Sequence, residues 1–291
     1  MKKMLFAIDY SKNSTTALKY AYSINKKMNT HLVVVHVFGY PTALGTDSHD
    51  HFPNLDKDTF KQQYSKLKAF CYNQLGEDLN KMNISLDVIE NLSVVNGIVN
   101  KADQMKAFMI VLGMKGQSAI KDLLIGNTTR NLIDKANCLV LAIPERAYFN
   151  EIKTIVYASD FEADKDIEVI KKITGFANAF DAKIEVVNIA DKKEFDSEIK
   201  MELFKNKLKE KINYKNIGFN ILHSKNIFET LRVYLGDVNA DVVVMLERED
   251  KGLFKSLFHK DLVKKMEIYG NIPMISFNEN NFGLFHFLKI S

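Results

Sequence analysis

The chain has 291 residues, of which 46% are hydrophobic and 26% charged, and its formal net charge at pH 7 is +4. This composition is that of a globular protein long enough for two domains, and the charge is too small to indicate nucleic acid as a partner. No apolar run approaches the ~20 residues that a membrane-spanning helix requires, so we expect no membrane contact. The two cysteines, Cys71 and Cys138, are too few for a disulfide framework, which favours the cytoplasm and predicts two small core residues.

The first elements are a short apolar strand that ends in Asp9 and an amphipathic helix over Thr15–Met28. In that helix apolar residues recur at the i, i+3, i+4, i+7 spacing. A second, almost wholly apolar strand covers His31–Val37. The polar segment from Gly39 to Asp58 contains proline and glycine and predicts a loop, and one charged helix is expected over Asp58–Met82.

The predicted loop contains the stretch GTDSHDHF, Gly45–Phe52, in which two aspartates and two histidines lie close together. These residue types are common metal ligands. A metal site needs its ligands at fixed spacing on a rigid frame, which a polar loop does not supply. We therefore interpret the stretch as a surface loop and predict no metal site.

A helix over Val94–Met105 and a buried strand over Phe108–Leu112 come next, and this strand leads directly into a glycine. Two residues separate Gly113 from Gly116, and nine separate Gly116 from Gly126. Two explanations remain open for this bare backbone: tight turns that only folding requires, or a loop shaped around a phosphate.

The positions of these glycines favour the phosphate. In an open α/β sheet, ligands bind beyond the carboxyl ends of the strands, where Asp9 and Gly113 are expected. Asn127 and Thr128 follow Gly126 and open the next helix, whose free N–H groups and positive dipole end attract an anion. Both residue types are also common helix N-caps, so ordinary capping is the competing explanation.

The second part of the chain repeats the first, and the two copies are joined near residues 144–153. We predict one domain over residues 1–146 and another over 151–280. A lysine-rich segment, Leu203–Asn216, is interpreted as a solvated helix face rather than a nucleic-acid patch. The matching segments are Lys3–Val37 with Thr154–Ile189, Ala107–Gly116 with Ala240–Glu249, and Cys138–Pro144 with Ile272–Phe277.

Short apolar strands alternate with helical segments in each copy, and strands apolar on both faces are typical of parallel sheets. The sequence therefore predicts an α/β protein of two tandem doubly wound domains. Each domain is expected to have a parallel sheet of about five strands flanked by helices. The final strands of the two copies are short apolar edges, which we predict to pair as an internal pseudo-dimer with Val140 and Ile275 near the contact.

The glycine pattern, with an aspartate closing the first strand, resembles that of the ATP-binding members of the universal stress protein family. This resemblance covers nearly the whole chain and implies a Rossmann-like fold of the adenine nucleotide alpha hydrolase type. It also implies a bound ATP or AMP, with or without Mg²⁺. The motif departs from the family at Asn127, where a serine usually stands, although asparagine still offers an amide donor. The nucleotide-binding residues implied by the resemblance are Ala7, Ile8, Asp9, Val37, Leu112, Gly113, Lys115, Gly116, Gln117, Gly126, Asn127 and Thr128.

In the second copy the glycines are replaced by larger residues: Leu246, Glu249 and His259, with Lys260 next. Only Asp160 remains of the set, so the second copy is expected to keep the fold and lose the site. No catalytic arrangement is readable in the sequence. The expectation is a cytoplasmic ATP-binding regulatory protein of the stress response, not an enzyme, with an unidentified protein partner and a second chain as further partners. The alternatives are a scaffold without nucleotide and a slow ATPase.

Overall fold

The computed structural model describes residues 1–39, 53–81, 83–114, 127–161, 163–190, 196–247 and 272–278. The first half contains β1 (Lys3–Ala7), α1 (Lys12–Met28), β2 (His31–Phe38), α2 (Pro53–Leu75), α3 (Asp78–Lys81), β3 (Ile84–Glu90), α4 (Val94–Met105), β4 (Met109–Gly113), α5 (Asn127–Lys135) and β5 (Leu139–Ile143). The second contains β6 (Thr154–Ala158), α6 (Ala163–Phe180), β7 (Lys183–Ala190), α7 (Ser197–Lys211), β8 (Ile217–His223), α8 (Ile227–Asp237), β9 (Val242–Glu247) and β10 (Met274–Asn278).

The strands form one ten-stranded sheet in the order β3-β2-β1-β4-β5-β10-β9-β6-β7-β8. The pairings within each half are parallel, and β5 pairs antiparallel with β10 where the halves meet. The predicted fold class, an α/β protein of two tandem doubly wound units with five-stranded parallel sheets, is confirmed.

Alternate strand residues point to opposite faces of the sheet, so each face has its own core. Met4 and Phe6 of β1 lie in one cluster with Leu18 of α1, whereas Leu5 lies in the other cluster with Ile98 of α4. Both clusters continue into the second half of the chain. Strands buried on both faces explain why the sequence of these segments is almost continuously apolar.

Helix α1 begins three residues earlier than predicted. The Ser11 side chain caps it by accepting a hydrogen bond from the Ser14 N–H at 3.3 Å. It ends at Met28, and the next residue, Asn29, has the left-handed φ of 49° common after the last turn of a helix. The start is therefore fixed by a serine cap, which apolar periodicity alone does not reveal.

The single helix predicted over Asp58–Met82 is wrong in two respects. Helix α2 already begins at Pro53, inside the predicted loop, and Gly76 with φ +59° separates it from α3. Proline is favoured in the first turn of a helix, and a left-handed glycine ends one. The lysine-rich helix likewise ends at Lys211, five residues before the predicted boundary at Asn216.

Candidate functional site

The carboxyl ends of β2, β1 and β4 lie side by side in the first half, because these strands are neighbours in the sheet. Ala7 pairs with Leu112, and the Ile8 N–H donates to the Val35 carbonyl at 3.0 Å. Val37 lies near the end of β2. The side chains of Ile8, Val37 and Leu112 are buried. At the edge these residues therefore present mainly their backbone atoms.

Asp9 follows β1 at the same edge and is solvent-exposed. One oxygen of its carboxylate, Oδ1, accepts a hydrogen bond from the Ser14 hydroxyl at 2.6 Å and another from the Ser11 N–H at 3.0 Å. The Asp9 N–H donates in turn to the Ser14 hydroxyl at 3.2 Å. These bonds fix the turn from β1 into α1, so Asp9 holds the edge in shape and also supplies an exposed carboxylate there.

Gly113 is required by packing, independently of any ligand. A Cβ atom at this position would lie 2.7 Å from the Asn13 carbonyl carbon and 2.8 Å from its oxygen. The Asn13 side chain also donates to the main-chain carbonyl of Met114. The backbone angles of Gly113 do not require a glycine, because Gly76 has the positive φ among the described glycines.

Helix α5 begins at Asn127, as the sequence predicts, and Thr128 is exposed in its first turn. This helix leads into the amino end of β5, so its start lies at the opposite, carboxyl edge of the sheet. The first N–H groups of a helix have no partner within the helix and favour an anion. Asp9, Gly113 and the start of α5 thus belong to the same edge.

Several predicted residues lie outside the described part of the chain. In the first half these are Lys115, Gly116, Gln117 and Gly126, together with the stretch GTDSHDHF. In the second half they are Glu249, His259 and Lys260. Their roles remain predictions.

Three residues that the sequence interpretation did not single out surround the turn after Asp9. Tyr10 has a left-handed φ of 63°, its ring lies 4.5 Å from that of His36, and the Lys66 ammonium of α2 lies 4.3 Å from the centre of the Tyr10 ring. Burial raises the pKa of Tyr10 to about 12. Burial also lowers the pKa of His36, although the Ile8 carbonyl and Asp9 oppose this shift. At neutral pH the Tyr10 and His36 side chains are therefore both neutral, and the Lys66 ammonium lies beside them.

The matching edge of the second half differs at the position of the glycine. Leu246, at the position of Gly113, is fully buried. Phe161, which follows Asp160 and has φ 59°, packs its ring against Phe204 at 5.4 Å. Below this turn the buried carboxylate of Asp166 accepts hydrogen bonds from the Tyr157 and Ser159 hydroxyls, the first at 2.6 Å.

Neither metal nor thiol chemistry is indicated by the residues that the structure describes. These residues contain no group of three or more potential metal ligands. Cys71 and Cys138 are buried and unbridged, as predicted, and burial raises the pKa of each thiol to about 12. No helix in the described ranges has the length and apolar character needed to cross a bilayer.

Comparison with known proteins is decisive for the first half. The universal stress protein family matches residues 1–144. The chain belongs, through this half, to the universal stress protein family. Two universal stress proteins, from Methanocaldococcus jannaschii and Bacillus subtilis, are each 26% identical to it over 145 residues. These alignments cover 49% and 48% of this chain and 81% and 97% of the relatives.

Solved structures extend the universal stress protein fold to the whole chain. A universal stress protein from Archaeoglobus fulgidus superposes with a TM-score of 0.64 at 14% identity, covering 95% of this chain and 98% of that one. One described as a putative universal stress protein from Pseudomonas aeruginosa gives 0.62 at 11% identity, covering 98% and 96%. At such identities the likeness concerns the fold alone, in tandem form.

Proposed function

We propose that this universal stress protein binds an adenine nucleotide, ATP or AMP, at the carboxyl edge of its first half and acts as a regulatory protein rather than an enzyme. One observation carries the proposal. Asp9, Gly113 and the start of α5 lie on one edge of the half matched by the family, where Gly113 adds no side chain, whereas the fully buried Leu246 side chain stands at the matching position of the other half.

Each part of this edge suits a different part of a nucleotide. The exposed Asp9 carboxylate would accept hydrogen bonds from ribose hydroxyls, and the main chain of Ala7, Ile8 and Val37 would flank the adenine. The N–H groups at the start of α5 would bind phosphate oxygens. The residues proposed to line the rest of the ribose and phosphates are Leu112, Gly113, Lys115, Gly116, Gln117, Gly126, Asn127 and Thr128.

The phosphate end can be tested with one added charge. Thr128→Glu places a carboxylate in the first turn of α5, where it suits the helix dipole but repels a phosphate. We expect ATP affinity, measured by calorimetry, to fall about tenfold or more, which is ~1.4 kcal/mol or more. Asn96→Glu adds the same charge in the first turn of α4 and should leave affinity unchanged. Equal affinity for both variants would contradict the phosphate assignment.

A second measurement distinguishes the proposal from a scaffold without nucleotide. Protein purified without added nucleotide is denatured, and the released small molecules are identified by mass analysis. We expect ATP or AMP at no more than one per chain, because Leu246 occupies the second edge. Calorimetric saturation at two nucleotides per chain would show that the steric argument is mistaken. No nucleotide by either method would favour the scaffold.

We further propose that the β5–β10 pairing is an internal pseudo-dimer. Leu141 lies opposite Ile275 and Val140 opposite Ser276, and each of these side chains is almost completely buried. A homodimer of two chains would then use other surfaces. This arrangement leaves one competent site on a tandem scaffold, which suits a cytoplasmic nucleotide sensor that signals to a protein partner.

A further inference from the structure

His36 and Asn188 make the same structural hydrogen bond in the two halves. His36 follows Val35, which pairs with Ala7 at the end of β1. Asn188 likewise follows Val187, which pairs with Ala158 at the end of β6. The His36 Nδ1 atom lies 3.0 Å from the Ile8 carbonyl oxygen, and the Asn188 amide donates to the Ser159 carbonyl oxygen at 2.9 Å. An asparagine is therefore sufficient for this bond.

A histidine brings an additional atom to the edge. A carbonyl oxygen can only accept, so Nδ1 must carry the proton in this contact and neutral His36 has a lone pair on Nε2. No residue that the structure describes makes a hydrogen bond with this nitrogen. Burial, with a smaller contribution from Lys66, lowers the pKa of His36 below its ordinary value of 6.5 and keeps the ring neutral at pH 7.

The surroundings of His36 differ from those of Asn188. The His36 ring is half-buried between Tyr10 and the charges of Asp9 and Lys66. In the second half the neighbouring Phe161 is buried against Phe204. The first half thus has an imidazole whose acceptor, Nε2, lies farther along the side chain than the amide oxygen of Asn188 in the second half.

We propose that His36 is a specificity-determining residue of the nucleotide site, whose Nε2 accepts a hydrogen bond from a donor on the ligand. The donor is the 6-amino group of adenine or a ribose hydroxyl, which share this chemistry. This inference rests on the proposed nucleotide function. It adds that binding requires the neutral ring, so that the site is sensitive to pH.

The direction of the pH dependence follows from the lowered pKa. Above that pKa, Nε2 has a free lone pair and the bond to the ligand forms. As the pH falls below 6.5 and through the lowered value, Nε2 takes up a proton and loses its acceptor. The charged neighbours act in opposite senses, since Lys66 opposes protonation and Asp9 favours it.

The test is His36→Asn, which copies Asn188 and keeps the bond to the Ile8 carbonyl. The control is His31→Asn at the amino end of the same strand, where His31 contacts the Ser85 hydroxyl at 2.8 Å. ATP affinity is measured by calorimetry from about pH 8 to about pH 5, a range that spans histidine titration. The nucleotide itself titrates in this range, but equally for all three proteins, so its contribution cancels in their comparison, and His31→Asn controls for the loss of a histidine elsewhere on the strand.

The wild-type and His31→Asn proteins should show the same steep loss of affinity towards low pH. The His36→Asn protein should bind about 3- to 10-fold more weakly at the high end, the usual effect of one neutral hydrogen bond, and should show a shallower pH dependence. Inosine triphosphate, 2′-deoxy-ATP and 3′-deoxy-ATP distinguish the donors, because the difference between wild type and variant disappears for the analogue that lacks the donor.

Identical profiles for all three proteins would overturn the role of His36 and leave the proposed function intact. Absence of ATP binding by the wild type would instead overturn the proposed function. If His36→Asn lowers the melting temperature more than His31→Asn does, His36→Gln is used, because its amide oxygen can replace the Nε2 acceptor without titrating. This variant should bind ATP without the histidine pH step, and retention of that step would overturn the inference.

Discussion

At the end of β4, Gly113 lies against the main chain of Asn13, whereas Leu246 is fully buried at the matching position of β9. At Gly113 the start of α1 lies so close to the strand end that a side chain has no room. The packing of this helix start therefore accounts for the glycine without a ligand. A glycine that packing requires also leaves main chain accessible, so the folding and ligand explanations of this glycine are compatible.

Packing predicts that Gly113→Ala destabilises the fold. The new Cβ would lie 2.7 Å from the Asn13 carbonyl carbon, so the helix start must shift. We expect the free energy of unfolding, measured with urea, to fall by about 1–3 kcal/mol. Gly39→Ala at the end of β2 is the control, since its nearest atom would be at an ordinary 3.5 Å. Equal stability of the two variants would exclude the packing role.

Tyr10 and Tyr157 form a second comparison between the halves. The buried Tyr10 hydroxyl has no hydrogen-bond partner within the described ranges, and Phe161 takes the same position in the second half. The Tyr157 hydroxyl instead donates to the buried Asp166 carboxylate at 2.6 Å. Burial of the Tyr10 hydroxyl thus costs desolvation energy that no bond to a described residue offsets, whereas the Tyr157 hydroxyl makes a charge-assisted hydrogen bond.

The two tyrosine-to-phenylalanine variants should therefore have different effects on the free energy of unfolding. Tyr10→Phe is expected to leave the free energy of unfolding unchanged or to raise it by up to about 1 kcal/mol. Tyr157→Phe should lower it by about 1.5–3 kcal/mol, because the buried carboxylate loses a donor. Urea denaturation of both variants measures the difference. A loss of stability in Tyr10→Phe as large as that in Tyr157→Phe would show that Tyr10 has a bonding partner.

Helix α4 packs closely on the end of β2 through Gly97. A Cβ there would lie 2.9 Å from a methyl of Val37, a stiff β-branched side chain. Helix propensity alone favours alanine over glycine by about 1 kcal/mol. We expect the clash to prevail, so that Gly97→Ala lowers the free energy of unfolding despite the better propensity.

A double-mutant cycle tests this explanation. Val37→Ala removes the methyl groups that meet the new Cβ, so Gly97→Ala should be less harmful, or stabilising, in that background. The expected coupling energy is about 1 kcal/mol or more, measured by urea denaturation of the four proteins. Additive effects would mean that Gly97 has another role.

Sequence periodicity predicted α4 with its observed bounds, Val94–Met105, but not the ends of α2 and α7. Spacing of apolar residues reports which face of a helix is buried, and α4 has a clear apolar face. The ends of a helix depend on the backbone conformation of single residues, such as the left-handed φ of Gly76. Glycine allows this conformation but does not require it. Charged helices with little apolar contrast are accordingly the least well bounded.

The candidate site was predictable where it follows strand ends and unpredictable where helices pack onto it. Asp9, Gly113 and Asn127 could be placed from the strand pattern. The contact of Asn13 with Met114 joins residues 101 positions apart, and Lys66 reaches Tyr10 from another helix. No local pattern encodes such contacts, so the sequence indicated the edge but not the side chains that shape it.

At the scale of the whole molecule, β5 and β10 are the edge strands of two five-stranded parallel sheets. Their pairing places both strands at the centre of the ten-stranded sheet. Pairing satisfies main-chain groups that would otherwise form an open apolar edge, which is prone to association. The short connection between the halves keeps the partner strand at high effective concentration. The fold therefore protects in a single chain an edge that a separate first half would expose.

We predict that residues 1–146 alone self-associate through β5. The Leu139 N–H donates to Phe108 on the β4 side, so the Ala142 N–H, an odd number of residues away, faces β10. Ala142→Pro removes that donor while sparing the bonds to β4. In analytical ultracentrifugation the fragment should form concentration-dependent dimers, and its Ala142→Pro variant should remain monomeric. A fragment that stays monomeric at high concentration without the substitution would show that the β5 edge does not drive association.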